Sequence, residues 1–114
     1  MAAVLNVIAD DVEWQISGPP DKLPYAGKRH GREQVAQFFA WIAENATFEH
    51  FEPQQFIAQE DEVVALVYER VRSKSTGRIL EQNFTQVFTL CEGKIIRFRY
   101  YFDTAAAVAA FRGV

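Results

Sequence analysis

The stretch from Thr47 to Phe102 constrains the fold most, because it shows no sustained helical period and is broken only by short turn clusters. It reads as four extended runs: Thr47 to Gln59, Glu62 to Ser73, Arg78 to Leu90 and Lys94 to Phe102. Ser75-Thr76-Gly77 and Cys91-Glu92-Gly93 turn the chain between the last three, which makes those strands antiparallel neighbours. Pro53 cannot donate to a ladder and marks the first run as an edge or bulged strand. A chain with this much contiguous strand must build a sheet and then cover one face of it.

The cover lies on either side of this block. Ala2 to Ala9 reads as a short helix ended by Asp10 and Asp11. Val12, Trp14 and Ile16 alternate with Glu13 and Gln15, so VEWQIS is a strand with one apolar face. GPPDKLPYAGKRHG carries three prolines and three glycines and reads as a loop. From Arg32 to Ala46 the spacing turns helical, with Val35, Phe38, Phe39 and Ile42 at i, i+3, i+4 and i+7. After Phe102 an alanine-rich helix follows, and Asp103 or Thr104 supplies the oxygen that caps it. Helices first and a meander afterwards argue an α+β class.

At 114 residues the chain suits one domain, 1–114, able to bury a core without staples. Net charge is -3 and the basic residues are scattered, so no nucleic-acid footprint is expected. Cys91 is the single cysteine, which excludes an internal disulfide and fits a reducing compartment. No run approaches the roughly 20 apolar residues that cross a bilayer, and the start MAAVLNVIADDVEW lacks the pattern of a signal peptide. The expectation is a cytoplasmic protein without a membrane partner.

The order of helix, strand, helix and curled sheet resembles the nuclear-transport-factor-2-like superfamily. LPYAGKRHGREQVAQFF is similar to its loop-to-helix segment, and IIRFRYYFDTAAAVAAF to the last strand and tail of its SnoaL-like, ketosteroid-isomerase-like branch. The resemblance implies a cone: a curved antiparallel sheet, cystatin-like, wrapped around a long helix. It also implies a homodimer through the outer sheet face and a cavity for a small organic molecule.

Two reactions of that fold are tested residue by residue. Tyr68-Glu69-Arg70-Val71-Arg72 and Phe98 to Asp103 are similar to the signature strands of limonene-epoxide hydrolases, whose cavity holds an Arg and two Asp. Arg70 matches the Arg, but Arg72 and Tyr100 stand at the Asp positions, so the carboxylate base and the acid are missing. Against ketosteroid isomerase, Trp14 stands at the base position and Gln86 at that of the protonated acid. Neither reaction is expected.

Strand period then sorts the side chains. With Tyr100 inward, Ile96, Phe98 and Phe102 follow; across the hairpins come Leu80, Gln82, Phe84, Gln86 and Phe88, then Leu66, Tyr68, Arg70 and Arg72. Trp14, Phe38 and Ile42 close the cone. Val67, Glu69, Glu81, Thr85, Val87, Arg97 and Arg99 take the outer face, where the two Glu pair with the two Arg.

This arrangement makes Tyr100 the hydrogen-bond donor to a substrate oxygen and Arg70 the group that polarises a carbonyl or holds an anion. Trp14, Phe38, Tyr68, Arg72, Gln82, Phe84, Gln86, Phe98 and Phe102 line the ligand site. The expected ligand is a small hydrophobic molecule bearing a carbonyl or carboxylate, and the family resemblance implies isomerisation, cyclisation or dehydration as the reaction type. The competing readings are a non-catalytic binding or scaffold module lacking the family's carboxylates, and an association domain. No cofactor and no metal are expected, since His30, His50 and Cys91 are far apart in sequence.

Overall fold

The structure, a computed structural model, describes residues 6–112. Asn6 and Val7 are helical, but Ile8 and Ala9 already belong to a strand; the rest of the expected first helix lies outside the described residues. Six strands follow: β1 (Ile8–Ile16), β2 (Gly27–His30), β3 (Ala46–Gln59), β4 (Glu62–Ser73), β5 (Ile79–Cys91) and β6 (Lys94–Tyr101). Helix α1 (Gly31–Asn45) precedes β3, and helix α2 (Thr104–Arg112) closes the chain. All six strands share one curved sheet in the order β2-β1-β6-β5-β4-β3. The fold is α+β, as the sequence implies, with two additions. Gly27 to His30 leaves the loop to pair antiparallel with β1, and β1 pairs with β6 in parallel, so the sheet is mixed.

β3 is an edge strand, with register shifts between Phe48 and His50 and between Pro53 and Gln55. The proline thus stands where a missing N–H costs least. α1 has no side-chain cap from His30; instead the Gln34 side chain reaches back to accept from the His30 N–H at 2.7 Å. Asn45 Nδ2 donates to the Trp41 carbonyl at 2.8 Å at the other end. Asp103 caps α2, its Oδ1 accepting from the Ala106 N–H at 3.0 Å.

Both helices lie on the concave side of the sheet. Val35 of α1 and Ala107 and Ala110 of α2 are buried in a core with Ile8, Val12, Trp14, Ile16 and Phe98. The proline-rich loop joins this core rather than leaving it, since Leu23, Tyr25 and Ala26 are all buried. Gly18 makes that inward turn possible: its φ is +114°, and a Cβ there would stand 3.2 Å from Leu23 Cδ1.

Register decides which side chains face the hollow, and here one sequence-based expectation is overturned. Ser73 pairs with Arg78, its N–H donating to the Arg78 carbonyl at 2.9 Å, so four residues rather than three form the β4–β5 connection. One extra residue flips the whole of β4. Val71 lies opposite Leu80, Glu69 opposite Gln82 and Val67 opposite Phe84. The odd-numbered residues of β4 therefore point inward, and Leu66, Tyr68, Arg70 and Arg72 point outward. In the next hairpin the turn also shifts the pairing, with Cys91 opposite Lys94, but a bulge between Thr89 and Leu90 shifts it back, and Phe88 meets Phe98 as expected. Ahead of that bulge Ile95 replaces Ile96 in the core, and Ile96 is exposed.

Candidate functional site: an apolar hollow with one carboxylate

Between the concave face of the sheet and the two helices lies a cavity of about 490 Å³. Its walls are aromatic and aliphatic. Trp14 stacks on Phe98 with ring centroids 4.0 Å apart, and Phe38, Phe39 and Ile42 of α1 close the hollow above them. Phe84 and Phe88 of β5 continue the wall, and Phe48 and Phe51 of the edge strand and Phe111 of α2 complete it.

Polar atoms are few and placed together. Glu69 is 3% exposed and lines the cavity. Its Oε2 accepts from Gln82 Nε2 at 2.7 Å and from the Tyr100 hydroxyl at 3.2 Å. Among the described residues no donor meets Oε1, and that oxygen is not sealed from solvent. One oxygen is thus anchored and the other is left for whatever enters. Burial pushes the Glu69 carboxyl above the usual carboxylate range; the bonds from Gln82 and Tyr100 pull it back only in part. Burial also raises the Tyr100 phenol well above its ordinary value, with the nearby Glu69 charge adding to the effect, so Tyr100 stays protonated. Gln82 is held in turn, its Oε1 accepting from the Asp103 N–H at 3.3 Å.

Of the residues expected at the site, Trp14, Phe38, Phe84, Gln86, Phe98 and Tyr100 are brought together around this hollow. Gln82 stands behind Glu69, and Phe102 backs the Tyr100 ring at 4.7 Å. Arg70, Arg72 and Tyr68 are on the opposite face. Arg70 Nε and Arg72 Nε each donate to a different oxygen of Glu49 at 2.9 Å, and the Tyr68 hydroxyl donates to Glu81. The two guanidiniums hold the Glu49 carboxyl below its usual range. Arg70 is therefore not the group that polarises a ligand. The outer pairs differ from expectation as well: Glu69 is inside, and Arg99 reaches Glu62 at 2.8 Å.

Two residues missed by the sequence reading complete the site. Glu69 faces inward, against the outer face expected of it, because the β4–β5 turn is one residue longer; the contrast of Val63, Ala65, Val67 and Val71 with Tyr68, Arg70 and Arg72 is the signal that marks its row as inner. Tyr25 lines the cavity although it lies in the proline-rich loop; Leu23, Tyr25 and Ala26 form an apolar cluster in an otherwise polar segment. A smaller groove of about 300 Å³ runs beside β1 and β2, lined by Glu13, Lys28, Arg29, His30, Gln34 and Arg97 among others. It mixes both signs of charge, and its one carboxylate among the described lining residues, Glu13, is exposed. Among the described residues no group of three or more His, Cys, Asp and Glu converges as metal ligands would, and no helix is long and apolar enough to cross a membrane.

A curved sheet closed by helices over an apolar hollow is the architecture of the nuclear-transport-factor-2-like proteins. A family model described as the SnoaL-like domain matches residues 1–98, and the chain belongs to that family. Among solved structures, a nuclear-transport-factor-2-like protein from Burkholderia xenovorans is 32% identical with a TM-score of 0.85, over 93% of this chain and 79% of that one. A similar protein of unknown function from Burkholderia pseudomallei is 25% identical with a TM-score of 0.85, over 96% and 83%. TerC, co-crystallised with polyporic acid, is 25% identical with a TM-score of 0.81, over 96% and 83%. No curated protein sequence matches the chain.

Proposed function

We propose that this SnoaL-like protein takes a small, uncharged, hydrophobic carbonyl compound into its cavity and moves a proton on it, with Glu69 as the base. The observation that carries this is the Glu69 carboxylate, buried in an apolar hollow with Oε2 anchored and Oε1 open. Burial makes the carboxylate a stronger base than it is in water, as proton abstraction next to a carbonyl requires. Tyr100 and Gln82 orient it, so Tyr100 acts as a positioning residue rather than as the substrate's donor. Among the described residues the lining contains no Arg, Lys or His, which disfavours a carboxylate-bearing ligand. The volume suits a molecule of two or three fused rings, and a relative's co-crystal with polyporic acid is consistent with an organic ligand. Isomerisation, cyclisation and dehydration all share this proton transfer. The carboxylate favours an enzyme over a binding or scaffold module without chemistry.

A second copy of the chain is the proposed partner of the outer sheet face. There Val64, Leu66, Thr85 and Val87 form a strip of neighbouring positions that neither helix covers. The free, exposed thiol of Cys91 suits the reducing cytoplasm as the place of action.

The test is hydrogen–deuterium exchange at the α-carbon of β-tetralone in D2O, followed by proton NMR. The wild-type protein should accelerate exchange and Glu69→Gln should abolish the acceleration. Equal rates for the two proteins would overturn the proposal.

A further inference from the structure

We infer that Tyr25, from the proline-rich loop, is a catalytic residue that donates its O–H to the carbonyl oxygen of the ligand while Glu69 takes the proton from the neighbouring carbon. This rests on the base reading of Glu69 given above and adds its missing partner. Proton abstraction next to a carbonyl moves the C–H electron pair into a new C=C bond and places negative charge on oxygen. Without a donor at that oxygen the base alone gains little, because the enolate is a stronger base than any carboxylate.

The hollow offers few candidates. The Tyr100 hydroxyl is committed to Glu69 Oε2. Trp14 Nε1 has no partner among the described residues, but it is sealed from solvent. Arg29 stands over the Phe38 ring at 5.3 Å, and its guanidinium donates to the carbonyls of Tyr25 and Pro24 instead. Tyr25 lines the cavity, its hydroxyl makes no hydrogen bond among the described residues, and that hydroxyl is not sealed off. Gln86 is the remaining neutral donor, on β5.

Tyr25 is also held as a working group must be. Its ring packs against Trp41 at 5.0 Å, Phe111 at 5.7 Å, Phe102 at 6.1 Å and Phe38 at 6.4 Å. Its carbonyl accepts from Arg29 Nη1 at 2.6 Å, and the loop turns through Leu23 N–H to the Pro19 carbonyl and Ala26 N–H to the Leu23 carbonyl. Burial, reinforced by the Glu69 charge, pushes its phenol well above the ordinary value. It therefore stabilises the enolate by hydrogen bonding without surrendering its proton. Glu69, carrying the abstracted proton, returns it to the same carbon or to another, and nothing is oxidised or reduced.

The experiment is the same α-carbon exchange of β-tetralone in D2O, run with wild type, Tyr25→Phe, Gln86→Leu and Glu69→Gln. The expected result is a loss of about 10²-fold in the protein-dependent rate for Y25F, the size found when one oxyanion donor is removed. The pH at which the rate turns over should stay put, since that reports Glu69. Exchange by Y25F equal to wild type, with E69Q inactive, overturns the role of Tyr25 and leaves the base in place; a loss confined to Q86L assigns the donor to Gln86 instead. No wild-type acceleration over E69Q brings down both readings. Should the Y25F chain fail to fold, intermolecular NOEs in the wild-type complex decide the matter. Contacts between the Tyr25 ring protons and the ketone's C3 methylene support the role, and their absence overturns it.

Discussion

Replacing Tyr100 by Phe removes one hydroxyl and nothing else from the hollow. Among the described residues that hydroxyl has a single partner, Glu69 Oε2 at 3.2 Å. Hydrogen bonds to charged groups contribute about 1.5–3 kcal/mol, and a separation longer than the usual O–H···O range puts this one near the lower end, at about 1.5 kcal/mol. The bond favours the ionised carboxylate, so its loss makes ionisation harder. The Glu69 carboxyl should therefore titrate at a higher pH in Y100F than in wild type. The Gln82 bond at 2.7 Å remains and keeps the carboxylate in place.

The assay is a pH titration of the 13C-labelled Glu69 side-chain carboxyl by NMR. Stability gives a second readout with a fixed sign. The folded carboxyl titrates above its unfolded counterpart, so its contribution is fully present below the unfolded pKa of about 4.3 and is lost as pH rises through the folded value. In Y100F that loss should end at higher pH. A Glu69 titration unchanged or lowered in the variant would refute the anchored, buried carboxylate.

Other outcomes follow from the same geometry. Arg70→Ala should leave binding of β-tetralone within about twofold of wild type and barely move the melting curve, because Arg70 is 40% exposed and its pairs lie on the outer face. Phe98→Ala should lower stability by about 3–5 kcal/mol in urea titrations, since Phe98 is buried and stacked on Trp14. Gly18→Ala should cost about 1–3 kcal/mol in the same titrations, because the residue holds φ +114° and its Cβ would press on Leu23 and Thr104.

Much of the fold can be read from alternation and turn residues. The runs 47–59, 62–73, 78–90 and 94–102 match β3 to β6 within a residue at either end, and the apolar stripe of Val35, Phe38, Phe39 and Ile42 marks α1 and the face it buries. The short β2 escaped because Gly27 to His30 has no alternation and owes its strand character to the β1 edge beside it. The site was less legible for a sharper reason. Side-chain direction in a sheet depends on turn length to the single residue, and a chain can hide that count. Ser75-Thr76-Gly77 names a turn, but Lys74 belongs to it as well. The last hairpin departs the other way, with two turn residues rather than three, and does no harm because the bulge at Thr89 and Leu90 restores the pairing. Glu69 and Arg70 are adjacent in sequence, and that one residue separates a cavity with a base from a cavity without one.

The most direct test of this inversion is thiol reactivity in a Cys91→Ser background, comparing Glu69→Cys with Arg70→Cys toward a bulky, charged aromatic disulfide. Burial shields a thiol and raises its pKa, so the thiol introduced by R70C should react at least about tenfold faster than that introduced by E69C. Faster labelling of E69C would place position 69 on the outer face and contradict the account.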